Sequence, residues 1–160
     1  MANRRLLHTL ASDHDAGQEI VALLYVDLDD FKEVNDSHGH VAGDTVLAEV
    51  AHRLSEAVRP EDHVVRVGGD EFAVVCTALV STDEAVSIAE RIIESVRTPI
   101  PVALGETVSI GASVGIATAM SEAASFNDLV SAADRALYAA KERGRGRWCL
   151  VGDGTLVDSP

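Results

Sequence analysis

The sequence predicts an α+β domain, a mixed or antiparallel central sheet with helices packed on it. Three observations carry this. A dense apolar, β-branched run over Ile20–Asp27 reads as a buried central strand. Two short β-prone runs flank Gly68-Gly69, the mark of a hairpin. Helical apolar stripes alternate with these strands, yet the tight turns rule out a purely parallel sheet.

In chain order, the first strand ends in Asp27-Leu28-Asp29-Asp30 and leads to a short helix over about 31–37. A longer helix begins near Val41, with Val46, Leu47, Val50, Leu54 and Val58 on one stripe and Glu49, Arg53 and Glu56 facing away. Pro60 ends it. The hairpin pairs His63–Val67 with Phe72–Cys76. A helix over about 82–97 follows, its inner face Ala85, Ala89, Ile92, Ile93 and Val96, and Pro99 stops it. Two β segments, 100–103 and 108–118, are joined at Gly105, and a last helix spans about 126–143. Residues 147–151 read as an edge strand, and the polar tail 151–160 as a flexible end that frays.

The 160 residues fit one domain, placed at 1–150. A net charge of −13 excludes the basic face that a nucleic-acid or anionic-membrane surface needs. It does not exclude a nucleotide, because metal ions and a few cations can hold a triphosphate. Cys76 and Cys149 have no metal-site spacing, which favours a reducing, cytoplasmic compartment. No apolar run is long enough to span a bilayer.

Asp27 and Asp29 project to one side of an extended chain, and Asp70 and Glu71 sit at a hairpin tip. If the hairpin lies beside the first strand, these carboxylates converge and call for a cation such as Mg²⁺ or Mn²⁺. Each segment alone has a plainer reading. Asp30 serves equally as a helix cap, and Gly68-Gly69-Asp70 as an ordinary turn.

The stretch Gly68-Gly69-Asp70-Glu71-Phe72 resembles the signature of the GGDEF family. Asp27-Leu28-Asp29-Asp30-Phe31-Lys32-Glu33-Val34-Asn35-Asp36, with Gly39-His40 and Gly43-Asp44, is similar to that family's strand–helix block. Ala133-Asp134-Arg135-Ala136-Leu137-Tyr138-Ala139-Ala140-Lys141, with Gly144-Arg145, resembles its C-terminal helix. The three blocks stand in family order and spacing across about residues 3–148.

The resemblance implies a fold like the palm of polymerases and nucleotidyl cyclases, and a diguanylate cyclase that condenses two GTP into cyclic di-GMP. It implies two Mg²⁺ or Mn²⁺ ions per site, bound by Asp27, Asp70 and the Leu28 carbonyl, with Glu71 assisting at the metals or deprotonating the ribose 3′-hydroxyl. Gly68 and Gly69 would let backbone approach the triphosphate, Phe31 and Lys32 would flank it, and Lys141 and Arg145 would contact its terminal phosphates. Asn35 and Asp44 would read guanine, whose N1–H and exocyclic amine form the donor pair a carboxylate accepts. Lys141 and Arg145 have a plainer role too, as cations complementing a helix C-terminus. Arg143 and Arg147 read as solvated, His38 and His40 as surface or outer residues, and Tyr138 and Trp148 as packing residues.

Arg59-Pro60-Glu61-Asp62 matches the family's Arg-x-x-Asp product-inhibition site, where Arg59 and Asp62 would contact cyclic di-GMP; otherwise it is a solvated turn. Two equivalent phosphodiester bonds require two facing GTP pockets, hence a homodimer. The family's usual Asp-x-Leu-Thr-Gly-Leu segment does not precede Asn3-Arg4-Arg5, so the chain is expected to be a fragment of a longer, multidomain protein, one that a membrane anchor elsewhere in the parent is free to tether. Residues 99–113 resemble GGDEF domains fused to an EAL phosphodiesterase. The alternatives are a silent GTP-binding module, a cyclic di-GMP receptor working through Arg59 and Asp62, and a different nucleotidyl cyclase.

Overall fold

The computed structural model describes residues 20–120, 125–152 and 155–159. Its elements are β1 (Ile20–Asp29), α1 (Phe31–Ala57), β2 (His63–Gly68), β3 (Glu71–Leu79) and α2 (Thr82–Arg97), then β4 (Ile100–Pro101), β5 (Thr107–Val108), β6 (Gly111–Met120), α3 (Phe126–Glu142), β7 (Trp148–Gly152) and β8 (Thr155–Asp158). Among the described residues six strands form one sheet in the order β2-β3-β1-β6-β7-β8, and β4 and β5 form a small separate hairpin. Only β6 and β7, among the described residues, pair in parallel within the large sheet. The sheet is mixed, and the domain is α+β.

β1 is buried on both faces because it lies between β3 and β6 and is covered by helices above and below. Ala22, Leu24, Val26 and Leu28 join the core built on α1 and α2. Val21, Leu23 and Tyr25 join the core under α3. By the same period of two, Asp27 and Asp29 continue the α3 side. α1 breaks at Gly39, whose φ of 82° takes it out of the helical region, so the two expected helices meet at a kink. α3 lies close on β6: a Cβ at Gly115 would overlap the Ala133 carbonyl oxygen and the Leu137 amide.

Several details differ from the sequence reading. The segment 108–118 is not one strand, because Ser109 and Ile110 separate β5 from β6. β7 is internal, and the tail expected to fray supplies β8, whose Leu156 and Val157 pair with Val151 and Leu150. Arg53 does not simply face away. Its Nη1 donates to the Ser95 and Thr98 carbonyls at 2.8 and 2.6 Å, satisfying the last carbonyls of α2. Tyr138 is 67% exposed and packs little, whereas Trp148 is buried as expected.

The tight seat of α3 generates a prediction. Gly115→Ala forces helix and strand apart and costs at least about 2 kcal/mol, read as a lowered urea midpoint with an unchanged slope.

Candidate functional site

The site forms where β1 runs out of apolar residues. Leu28 N–H donates to the Asp70 carbonyl at 3.2 Å, tying the hairpin tip to the strand end. The tip is a two-residue turn between β2 and β3, with Gly69 at φ 54°, a conformation that costs glycine little. In the β1–β3 register Asp27 faces Glu71. The expected meeting of the two acidic segments therefore occurs, and Asp27, Leu28, Asp70 and Glu71 share one end of the sheet.

Asp27 lies on the α3 side of the strand and meets the last turn of that helix. Lys141 Nζ sits 2.8 Å from Asp27 Oδ2. Burial pushes the Asp27 carboxyl above its ordinary value; Lys141 pulls it back, and the nearby Asp70 and Asp29 carboxylates add to the rise. The strand end thus holds a desolvated, mutually repelling carboxylate group that a cation relieves, and a side-chain ammonium already touches it.

The acidic residues fit a divalent ion by their chemistry. Two carboxylates and a backbone carbonyl are hard oxygen donors, and Mg²⁺ takes one or two carboxylates while keeping water or phosphate oxygens. Among the described residues no three His, Cys, Asp or Glu side chains cluster closely enough to hold a metal by themselves. Asp27, Asp70 and the Leu28 carbonyl would leave an ion's remaining positions open to water or other oxygen donors.

The remaining expected residues divide around this centre. Phe31 is buried at the start of α1, and Lys32 beside it is exposed. Asn35 packs over Gly43, where any Cβ would overlap its Oδ1. Asp44, one residue on, lines a cavity of about 350 Å³ with Leu47, Ser55, Arg66 and Phe72. Gly68, next to the tip, has open space where a side chain would stand. Arg145 lies in the turn after α3, its Nε 4.0 Å from Asp30 Oδ1. Asp30 makes no side-chain cap; it sits in the left-handed region at φ 57°, and only its carbonyl serves the helix, accepting from Glu33 N–H.

Arg59 and Asp62 lie apart from this end, before the start of β2, a six-residue strand spanning roughly 20 Å. Asp62 is buried and accepts from Arg59 N–H at 3.0 Å, while Arg59 Nη2 donates to Glu84 Oε1 at 2.7 Å. The Val80 amide holds the Glu84 carboxyl below its ordinary value, and Arg59 adds to this. Burial pushes the Cys76 thiol up, with the Asp62 carboxylate contributing.

Other expectations need correction. Arg143 pairs with Asp158 and Arg147 buries its Nε, so neither is simply solvated. His38 is at the surface as expected, and its Nδ1 lies 3.0 Å from Glu106 Oε2, linking α1 to the β4–β5 hairpin. Glu84 had no local signal, because its partner is 25 residues earlier. Asp29 was visible as the parity mate of Asp27, but its partners Ser113 and Gly146 are too distant in sequence to read.

The family model described as "Diguanylate cyclase, GGDEF domain" matches residues 1–147. Diguanylate cyclase TpbB of Pseudomonas aeruginosa is 45% identical over 136 residues, 85% of this chain and 31% of its own length. The chain thus spans about a third of the curated relatives it matches. The crystal structure of the GGDEF domain of TpbB superposes with a TM-score of 0.82 at 42% identity, covering 94% of this chain and 93% of that one. The GGDEF domain of DgcB from Caulobacter crescentus, solved with c-di-GMP, gives 0.77 at 29% identity, covering 89% and 84%.

The strained carboxylate predicts a pH signature in metal-free protein. A raised carboxyl binds its proton more readily folded than unfolded, so its ionisation lowers stability as pH rises through that window. Asp27→Asn therefore melts above the parent at pH 7, and the gain shrinks as pH falls through the carboxylate range; thermal melts in chelator across pH 3–7 read both.

Proposed function

The chain belongs to the GGDEF family, and from that membership we propose that it is a diguanylate cyclase joining two GTP into cyclic di-GMP with release of two pyrophosphates. The observation that carries the reading is the convergence of Asp27, the Leu28–Asp70 backbone link and Lys141 at one sheet end. That is where a triphosphate needs both metal-binding oxygens and a cation.

In this reading each ribose 3′-hydroxyl attacks the α-phosphorus of the other GTP. A 3′-O–P bond forms, the α–β bridging P–O bond breaks, the hydroxyl proton departs and pyrophosphate leaves. Two Mg²⁺ or Mn²⁺ ions, held by Asp27, Asp70 and the Leu28 carbonyl, would acidify the hydroxyl and neutralise the leaving group. Glu71, opposite Asp27, assists at the metals or accepts the proton. Gly68 and Gly69 leave room for phosphate against backbone, Phe31 and Lys32 flank the phosphates, and Lys141 and Arg145 contact the terminal ones. Lys141 would exchange its contact with Asp27 for phosphate as metal enters. Asp44, at the wall of its cavity, and Asn35, packed against Gly43, select guanine.

One domain offers one GTP pocket, so catalysis needs a homodimer with the pockets face to face. Arg59 and Asp62 are assigned to cyclic di-GMP, which inhibits from a site remote from the reacting end. Arg59 must then give up or share its contact with Glu84. No described helix is long and apolar enough to cross a membrane. We place the domain in the cytoplasm, where its GTP is.

The test is GTP turnover with Mg²⁺ or Mn²⁺, products resolved by chromatography, beside Asp70→Ala. Cyclic di-GMP forms from the parent and falls by at least about 100-fold in the variant, as expected when a group acting on the reacting phosphate is lost. Specific activity rises with protein concentration until the dimer saturates. Arg59→Ala keeps turnover and weakens inhibition by added cyclic di-GMP. GTP binding without product at any concentration would instead mark a catalytically silent regulatory module.

A further inference from the structure

Asp29 stands two residues beyond Asp27 on the same side of β1, yet its carboxylate is engaged by protein groups. Ser113 Oγ donates to Asp29 Oδ1 at 2.7 Å, and the Gly146 amide donates to Oδ2 at 2.9 Å. The Gly146 carbonyl in turn accepts from Arg97 Nη2 at 2.7 Å. Gly146 is thus held through both its amide and its carbonyl, in two successive peptide units, by a carboxylate and a guanidinium, the strong class of hydrogen bond.

The gripped segment is unusual. Gly144, Arg145 and Gly146 follow one another at φ 113°, 60° and 60°, a left-handed run that an L-residue such as Arg145 adopts only at a cost. A turn of this kind persists where its surroundings over-determine it. Its one long side chain is Arg145, whose Nε lies 4.0 Å from Asp30 Oδ1, at the loop joining β1 to α1. A Cβ at Gly146 would stand 3.2 Å from Arg97 Nη2, so that position is also spatially tight.

We infer that Asp29 is a positioning residue: with Ser113 and Arg97 it clamps the backbone on both sides of Gly146 and so presents the Arg145 guanidinium to the terminal phosphates of the nucleotide. This rests on the cyclase reading of the site and deepens it. The two aspartates of β1 divide the work. Asp27 touches Lys141 at the end of α3 and serves the reacting end, whereas Asp29 holds the turn that follows the helix. Both tasks follow from the two-residue period that puts both carboxylates on the α3 side.

The test is a double-mutant cycle of Asp29→Ala and Arg145→Ala, read by affinity for a non-hydrolysable GTP analogue with Mg²⁺. Amide hydrogen exchange at Gly146, measured by NMR without nucleotide, accompanies it. Alanine keeps a Cβ at position 145, so the turn's own strain is unchanged. Each single variant binds the analogue roughly 10-fold more weakly, and in the Arg145→Ala background Asp29→Ala adds less than about twofold. Asp29→Asn, which retains an oxygen able to accept from Gly146, restores most of the affinity. Exchange at Gly146 quickens at least roughly 10-fold in Asp29→Ala and stays slow in Arg145→Ala. Multiplied losses in the double variant, or unchanged exchange in Asp29→Ala, would overturn the inference. A parent that does not bind the analogue fails the cyclase reading instead; exchange at Gly146 then decides the clamp alone, quickened exchange sustaining it and unchanged exchange overturning it.

Discussion

Everything at the candidate site depends on β1 being buried on both faces. A strand covered by α1 and α2 on one side and by α3 on the other has no room for an unpaired charge along its length. Its polar residues are confined to the end, and the two-residue period sends Asp27 and Asp29 toward α3. Because β3 and β6 pair with β1 on either side, the hairpin tip and the start of β6 arrive at that same end. The cations come from the chain after it has crossed the sheet: Lys141 in the last turn of α3, and Arg145 in the turn beyond, beside the Gly146 amide that Asp29 accepts from.

This arrangement exchanges stability for chemistry. Asp27 is desolvated and crowded by carboxylates, and its Lys141 partner offsets only part of that cost. Paired and hydrogen-bonded groups of this kind are seldom the best choice for stability alone, and they are characteristic of sites that bind charge. The second carboxylate shows the opposite solution. Asp29 is fully engaged by Ser113 and Gly146, so it works as structure within two residues of a strained neighbour.

Much of this was legible in the sequence. The apolar run 20–27 ending in acidic residues, the Gly68-Gly69 hairpin and the two helical stripes name the sheet, the tip and two of the helices, because burial and turn chemistry leave local marks. The parity of Asp27 and Asp29 was also local. What a local pattern could not hold was long-range pairing. Arg53 satisfying the end of α2, Glu84 holding Arg59, and Asp158 meeting Arg143 all join residues far apart in the chain. The tail misled for a related reason. Thr155–Asp158 is short and flanked by glycine, so its strand character comes from the β7 edge it pairs with.

In the proposed mechanism the end of β1 and the hairpin tip form one metal–nucleotide site through Asp27 and Asp70. Electron paramagnetic resonance of Mn²⁺, titrated into the protein with a non-hydrolysable GTP analogue, tests it most directly. Uptake of two ions per chain is expected, dependent on the analogue and reduced in both Asp27→Asn and Asp70→Asn. Undiminished uptake in either variant, with the fold intact by circular dichroism, would contradict it.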